Sequence, residues 1–212
     1  MKHLWIFIFL GYHGFSQNTE THQAKAGDFE GVSGNPYFIK DWSDGMIRFS
    51  SGKVTNKFKL KFDAAQNRLL LQFNGSTFAA ESKINEFIIY AKNKADSFVF
   101  RKGFPIADRG NAETFYQVLE QGQVTLLRLT SKEIVEETQI LESKRSRHYR
   151  DVEQYYILRD RILYKIDKET APLQEILSDR REELKNFISE HQLRMRSAGD
   201  LVKVVRKYNE FR

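Results

Sequence analysis

Asp41 and Asp44 flank Trp42, and Tyr37 lies just upstream. Two carboxylates beside aromatic rings are what a sugar site uses. The rings cover the C–H face of a pyranose, and the carboxylates accept from its hydroxyls or flank a scissile glycosidic bond. Asp41 and Asp44 are therefore the one carboxylate pair with a case for catalysis. Tyr37 and Trp42 are candidate ligand contacts. The same four residues are also what a turn entering a first strand would contain, with Trp42 filling the core.

A second constellation is basic. Lys144, Arg145, Arg147, His148 and Arg150 fall within seven positions, with Tyr149 among them and Tyr155 and Tyr156 close by. Interleaved cations and aromatics are the footprint of a polyanion contact, and these five residues are the candidate anion-binding loop. Arg180-Arg181 and Arg194 with Arg196 read as helix surface.

Other chemistries lack their residues. The chain has no cysteine, which removes thiolate nucleophiles, disulfides, zinc–cysteine sites and iron–sulfur clusters. His22, His148 and His191 follow the leader described below, and no pair has the spacing of a helical metal site. No nucleophile elbow, phosphate loop or dinucleotide fingerprint is present. No metal and no cofactor is expected, and the balance leans away from an enzyme.

The elements that position these residues begin after a leader. Met1-Lys2-His3 is basic, Leu4–Leu10 is an unbroken apolar run, and Gly14-Phe15-Ser16 supplies small residues. That order is a secretory signal peptide, residues 1–16, cleaved after Ser16. The apolar run is too short to span a bilayer, so no transmembrane span is expected in the mature chain. Without a cysteine there is no lipobox, and the expected location is the periplasm or the outside of the cell. There a net charge of +6, or +5 once Lys2 of the leader is removed, would meet an anionic glycan, lipopolysaccharide phosphate or another envelope protein rather than nucleic acid.

Residues 17–33 are polar and aperiodic, and read as a flexible lead-in. Residues 34–166 read as strands. Phe58-Lys59-Leu60-Lys61-Phe62 alternates strictly, giving one buried and one wet face. Asn74-Gly75 is a two-residue hairpin signal. Turn residues recur through Phe87–Tyr90, Ser97–Phe100, Phe115–Leu119 and Val124–Leu129. Gly103-Phe104-Pro105 and Asp108-Arg109-Gly110-Asn111 mark a loop that could hold a ligand. Ser131–Glu142 fits either a short helix or an extended arm. Tyr155–Leu158 and Ile162–Ile166 read as a final hairpin.

Residues 167–212 change to helical period. Leu173, Ile176 and Leu177 form one stripe. Leu184, Phe187 and Ile188 form a second, and Leu201, Val204, Val205 and Tyr208 a third. Thr170, Ser178 and Ser197 are candidate caps. The expected fold is α+β: a curved antiparallel sheet or incomplete barrel, followed by a short C-terminal helical segment packed on or beside it.

Several stretches resemble an uncharacterised family of exported proteins of Gram-negative bacteria. They are Gly34-Asn35-Pro36-Tyr37 with Trp42 and Gly45, Ser51–Val54 with Leu60–Asp63 and Asn67–Leu69, and Leu177–Ile188 through Asp200-Leu201-Val202 to Tyr208-Asn209. The resemblance implies an envelope location and a β-rich body with a helical tail. It brings no activity and no catalytic residues. The functional expectation is a non-enzymatic binding or interaction module. The alternatives are a carboxylate-dependent hydrolase of envelope polymers and a polyanion-binding surface protein.

Overall fold

The computed structural model describes residues 31–80, 83–92, 96–139, 144–166, 170–195 and 197–211. Residues 1–16, expected to be a signal peptide, His22 and all but the end of the expected lead-in 17–33 lie outside the described residues. The chain is α+β and mostly strand. Its strands are β1 (Val32–Ser33), β2 (Gly45–Phe49), β3 (Val54–Thr55), β4 (Lys59–Asp63), β5 (Arg68–Phe73) and β6 (Ser76–Ala79). There follow β7 (Ile84–Tyr90), β8 (Ser97–Arg101), β9 (Tyr116–Gln121), β10 (Thr125–Gln139), β11 (Lys144–Arg159) and β12 (Ile162–Ile166). Helices α1 (Thr170–Ile176), α2 (Arg181–Glu190) and α3 (Ala198–Glu210) close the chain, with a 3-10 turn at Ser178–Arg180 before α2.

Nine strands form an open sheet in the order β1-β11-β10-β9-β8-β7-β2-β3, with β12 paired to β11. It is mixed rather than purely antiparallel, because β1 runs parallel to β11. Strands β4, β5 and β6 form a separate three-stranded sheet. The β5–β6 turn is the one the sequence signals, with Asn74 and Gly75 both at positive φ.

Cross-strand partners Phe100, Gln117, Arg128 and Tyr155 share one face of the large sheet. Two covers lie side by side on that face. Over β2, β7 and β8 sits the small sheet, and Leu60, Phe62 and Leu69 bury against Ile47, Phe87, Ile89 and Phe100. Over β10, β11 and β12 sit the helices, and Leu173, Leu184, Leu201, Val204 and Tyr208 bury against Leu126, Ile157 and Ile166. The helical tail thus docks on the sheet. Between the covers runs a polar seam. Arg128 donates to Gln117 Oε1 at 2.6 Å and to Glu153 Oε1 at 2.7 Å. Tyr155 donates to Glu153 Oε2 at 2.6 Å, and burial followed by that carboxylate pushes the phenol up to about 12.

Local chemistry explains the helix ends. Ser197 caps α3, its hydroxyl accepting from the Asp200 N–H at 3.1 Å. Ser178 does not cap α2; it opens the 3-10 turn, and α2 starts at Arg181 without a side-chain cap. The Thr170 side chain lies outside the described residues. The Asn209 amide accepts from Val124 N–H at 3.0 Å and donates to Val124 C=O at 3.1 Å, locking α3 to the sheet as a neighbouring strand would. Arg159 and Tyr208 both donate to Asp179, at 2.7 and 3.0 Å, which ties the 3-10 turn to both layers.

The loop between β8 and β9 covers the opposite face. Phe104 meets Tyr116 edge-on at 5.8 Å, and Tyr116 meets Tyr156 at 5.5 Å. Asp108 accepts from Lys165 at 2.8 Å and from the Tyr156 hydroxyl at 2.9 Å. Those partners, Lys165 first, hold its carboxyl below the ordinary 3.8. A lowered folded-state pKa adds stability that is full above the unfolded value and lost as pH falls through the folded one. The Asp108→Asn variant is therefore expected to melt about 2 °C below the parent at neutral pH. That gap should close as pH falls below about 4. Melting curves of both proteins across this range are the check, and a gap that widens in acid would contradict the assignment.

Candidate functional site

The strict alternation of β4 turns Leu60 and Phe62 into the core at 1 % exposure each and leaves Lys59 and Lys61 on the other side. The segment 37–44 runs along the outer edge of β4. Ser43 and Leu60 exchange both backbone hydrogen bonds at 3.0 and 2.8 Å, and Phe38 N–H donates to Phe62 C=O at 2.9 Å. Ser43 pairs with Leu60 in antiparallel register, so its neighbours Trp42 and Asp44 face Lys61 and Lys59. The Lys61 ammonium lies 4.6 Å from the Tyr37 ring centre and 4.7 Å from that of Trp42. Lys59 pairs with Asp44 at 2.7 Å, and Lys92 with Asp41 at 2.6 Å. The Lys92 ammonium, through its hydrogen bond and its charge, holds the Asp41 carboxyl below the ordinary value.

Two hollows flank the Asp44–Lys59 pair. One, of about 170 Å³, is lined by Trp42, Ser43, Asp44, Lys59, Tyr90, Ala91 and Lys92. The other, of about 220 Å³, is lined by Asp44, Lys59, Asn56, Lys57 and Phe58 and by the β5–β6 hairpin residues Gln72 to Gly75. Together they form an open groove over one end of the small sheet. A backbone hydrogen bond from Tyr90 N–H to Asp44 C=O, 2.9 Å, fastens the groove to β7 of the large sheet.

This groove brings together Trp42 and Asp44, with Tyr37 and Asp41 beside them. Tyr37 is 7 % exposed and lines neither hollow; it meets the groove only through Lys61, whose ammonium lies over its ring. The lining offers a ring, hydrogen-bond donors and acceptors, and a mixed but cation-rich charge. Asp41, beside the lining, is not set up as a general acid. A general acid needs its pKa raised toward neutrality, whereas Asp41 is pulled the other way.

The five basic residues of the second constellation do not form a loop. They lie on β11, paired along their length with β10. Segment 131–139 is likewise strand, not helix; residues 140–142 of the expected Ser131–Glu142 element lie outside the described residues. Arg147 faces Glu136 and makes an ion pair with it. Arg150 lies 3.4 Å from Glu133, which Arg109 also reaches at 3.1 Å. His148 lies 3.8 Å from Glu137. Arg145 is exposed, and the Lys144 side chain lies outside the described residues. The acidic partner strand answers the basic one, so the charge available to an external anion is smaller than the composition of 144–150 implies. His191 sits at the C-terminus of α2, its Nδ1 3.0 Å from the Phe187 carbonyl.

Among the described residues, no cluster of three or more His, Asp or Glu side chains could hold a metal ion, and no helix is long and apolar enough to cross a membrane. Sequence reasoning missed Lys59, Lys92, Tyr90, Asn56, Gln72 and Asn74 as groove residues. The alternation of β4 already placed Lys59 on a wet face, which was the one available signal. Comparison with known proteins adds no relative: no protein-family model matches the chain, no curated protein matches it, and no solved structure matches its fold.

Proposed function

We propose that this chain is an exported, non-enzymatic binding module of the cell envelope, and that the groove over the small sheet holds a glycan. One observation carries the reading. Trp42 stands at the end of a groove whose other walls combine carboxylate, ammonium and amide side chains with the rings of Phe58, Phe73 and Tyr90. A sugar presents an apolar C–H face and a rim of hydroxyls. The Trp42 ring matches the face, and Asp44, Lys59, Asn56, Gln72 and Asn74 match the rim. A small apolar ligand would leave Asp44, Lys57, Lys59 and Lys92 unmatched. The lowered pKa of Asp41 argues against that residue as the general acid of a carboxylate-dependent hydrolase. The export part of the proposal rests on the leader sequence at residues 1–16.

The test is binding of the intact chain to a panel of neutral and acidic oligosaccharides, followed by calorimetry or by Trp fluorescence. Trp42→Ala is expected to weaken the best ligand about tenfold or more. Trp42→Phe, which keeps an aromatic face, should recover most of that loss. Binding that survives Trp42→Ala unchanged, or a panel with no ligand at all, would overturn the reading.

A further inference from the structure

We infer that the ligand of this groove is a linear acidic polysaccharide of the uronic-acid class, bound across the Asp44–Lys59 pair. The inference rests on the glycan reading of the groove and deepens it.

Size argues for a linear ligand. The two hollows, about 170 and 220 Å³, are each smaller than the about 300–1,000 Å³ usual for a small-molecule site. They share Asp44 and Lys59, and a ligand that fills both must cross that pair. It is therefore elongated and has at least two units.

Charge argues for an acidic one. The alternation of β4 sets Lys59 and Lys61 on one side, about 7 Å apart, and Lys57, just before the strand, lines the same hollow as Lys59. Lys92 joins them from the end of β7. The acids facing these ammonium groups are Asp44 and Asp41, so cations outnumber carboxylates in the lining. The Lys59 and Asp44 side chains are 50 % and 54 % exposed. An ion pair that open to water is weak, and a ligand carboxylate can replace Asp44 at Lys59 with little loss. Asp44, once released, becomes an acceptor for a sugar hydroxyl.

That last point selects the polymer. A deoxynucleotide phosphate chain offers Asp41 and Asp44 no sugar-ring hydroxyls along its length, whereas a glycan ring donates hydrogen bonds to both carboxylates. A uronate carries both the negative group and those hydroxyls.

The experiment compares three probes on the intact chain, at low and at high salt: a linear oligogalacturonate, a neutral oligoglucan of the same length, and an oligo-deoxythymidylate. The expected result is oligogalacturonate binding at least about tenfold tighter than the glucan, with the advantage shrinking as salt screens it. The Lys57→Gln, Lys92→Gln double variant should remove most of that advantage. Equal binding of uronate and glucan would overturn the acidic ligand and leave the glycan groove standing. Binding of neither would overturn both. Tighter binding of the deoxythymidylate would replace the polysaccharide with a phosphate polymer. Uronate binding untouched by the double variant but lost on charge reversal of Arg145, Arg147 and Arg150 would move the site to the β10–β11 arm.

Discussion

Replacing Gly45 with alanine is expected to cost about 3 kcal/mol of stability, a fall in Tm of about 10 °C. The reason is contact geometry rather than backbone freedom. Gly45 opens β2 at the place where β4 of the small sheet crosses over β2 and β7. A Cβ there would lie 2.2 Å from the Ile88 carbonyl oxygen and 2.4 Å from Leu60 Cδ1. The Leu60 methyl could turn aside, but the carbonyl belongs to the β2–β7 ladder and cannot retreat without breaking it. Either the two sheets separate or β2 slips. Both shift Asp44, the next residue back, whose carbonyl accepts from Tyr90 N–H. Glycan binding should therefore fall with stability, beyond what the unfolded fraction accounts for. A thermal scan with binding measured well below Tm checks this. A Gly45→Ala protein of parental Tm would contradict the sheet crossing described above.

Phe87→Ala is expected to cost more, about 3–5 kcal/mol, against a total stability of about 5–15 kcal/mol for a typical domain. Phe87 is fully buried. Its ring stacks on Phe100 at 4.8 Å and meets Phe115 at 5.0 Å and Phe62 at 5.4 Å. Truncation leaves a cavity among three rings that are themselves held on three different elements, β8, the β8–β9 loop and β4. None can move in without giving up its own strand or loop contacts. The result should be a lower denaturant midpoint with an unchanged slope. A loss below about 1 kcal/mol would mean that the two sheets pack less closely than the ring distances indicate.

The two site readings differ in how much the sequence could reveal. Lys59-Leu60-Lys61-Phe62 declares its two faces by period, because one face is buried and the other wet. Trp42, Asp41 and Asp44 are near neighbours in the chain, so their grouping is visible as composition. Tyr90 and Lys92 reach the groove only through the packing of the small sheet on β2 and β7, a long-range event with no local trace, whereas Gln72 arrives as the cross-strand partner of Lys59 and Asn74 in the turn after it. The basic run 144–150 shows the converse. As composition it looks like an anion site; its neutralising partners Glu133, Glu136 and Glu137 lie on the other strand of a hairpin. That hairpin was hard to see because its distal half, with water on both faces, carries little apolar alternation. The helices were legible in their stripes, since each has one face to bury. The start of α2 was not, because Ser178 spends its position on a 3-10 turn that lets Asp179 meet Arg159 and Tyr208.

The central claim is that ligand meets the protein at Trp42 and the Asp44–Lys59 pair. The most direct measurement is an amide and indole N–H titration by NMR of the isotope-labelled chain with a linear oligogalacturonate. The account predicts saturable shifts at the Trp42 indole, at Asp44, Lys57, Lys59 and Asn74, and at Tyr90 and Lys92 across the groove, with the β10–β11 arm unmoved. Shifts confined to residues 144–150, or none at the Trp42 indole at saturation, would contradict it.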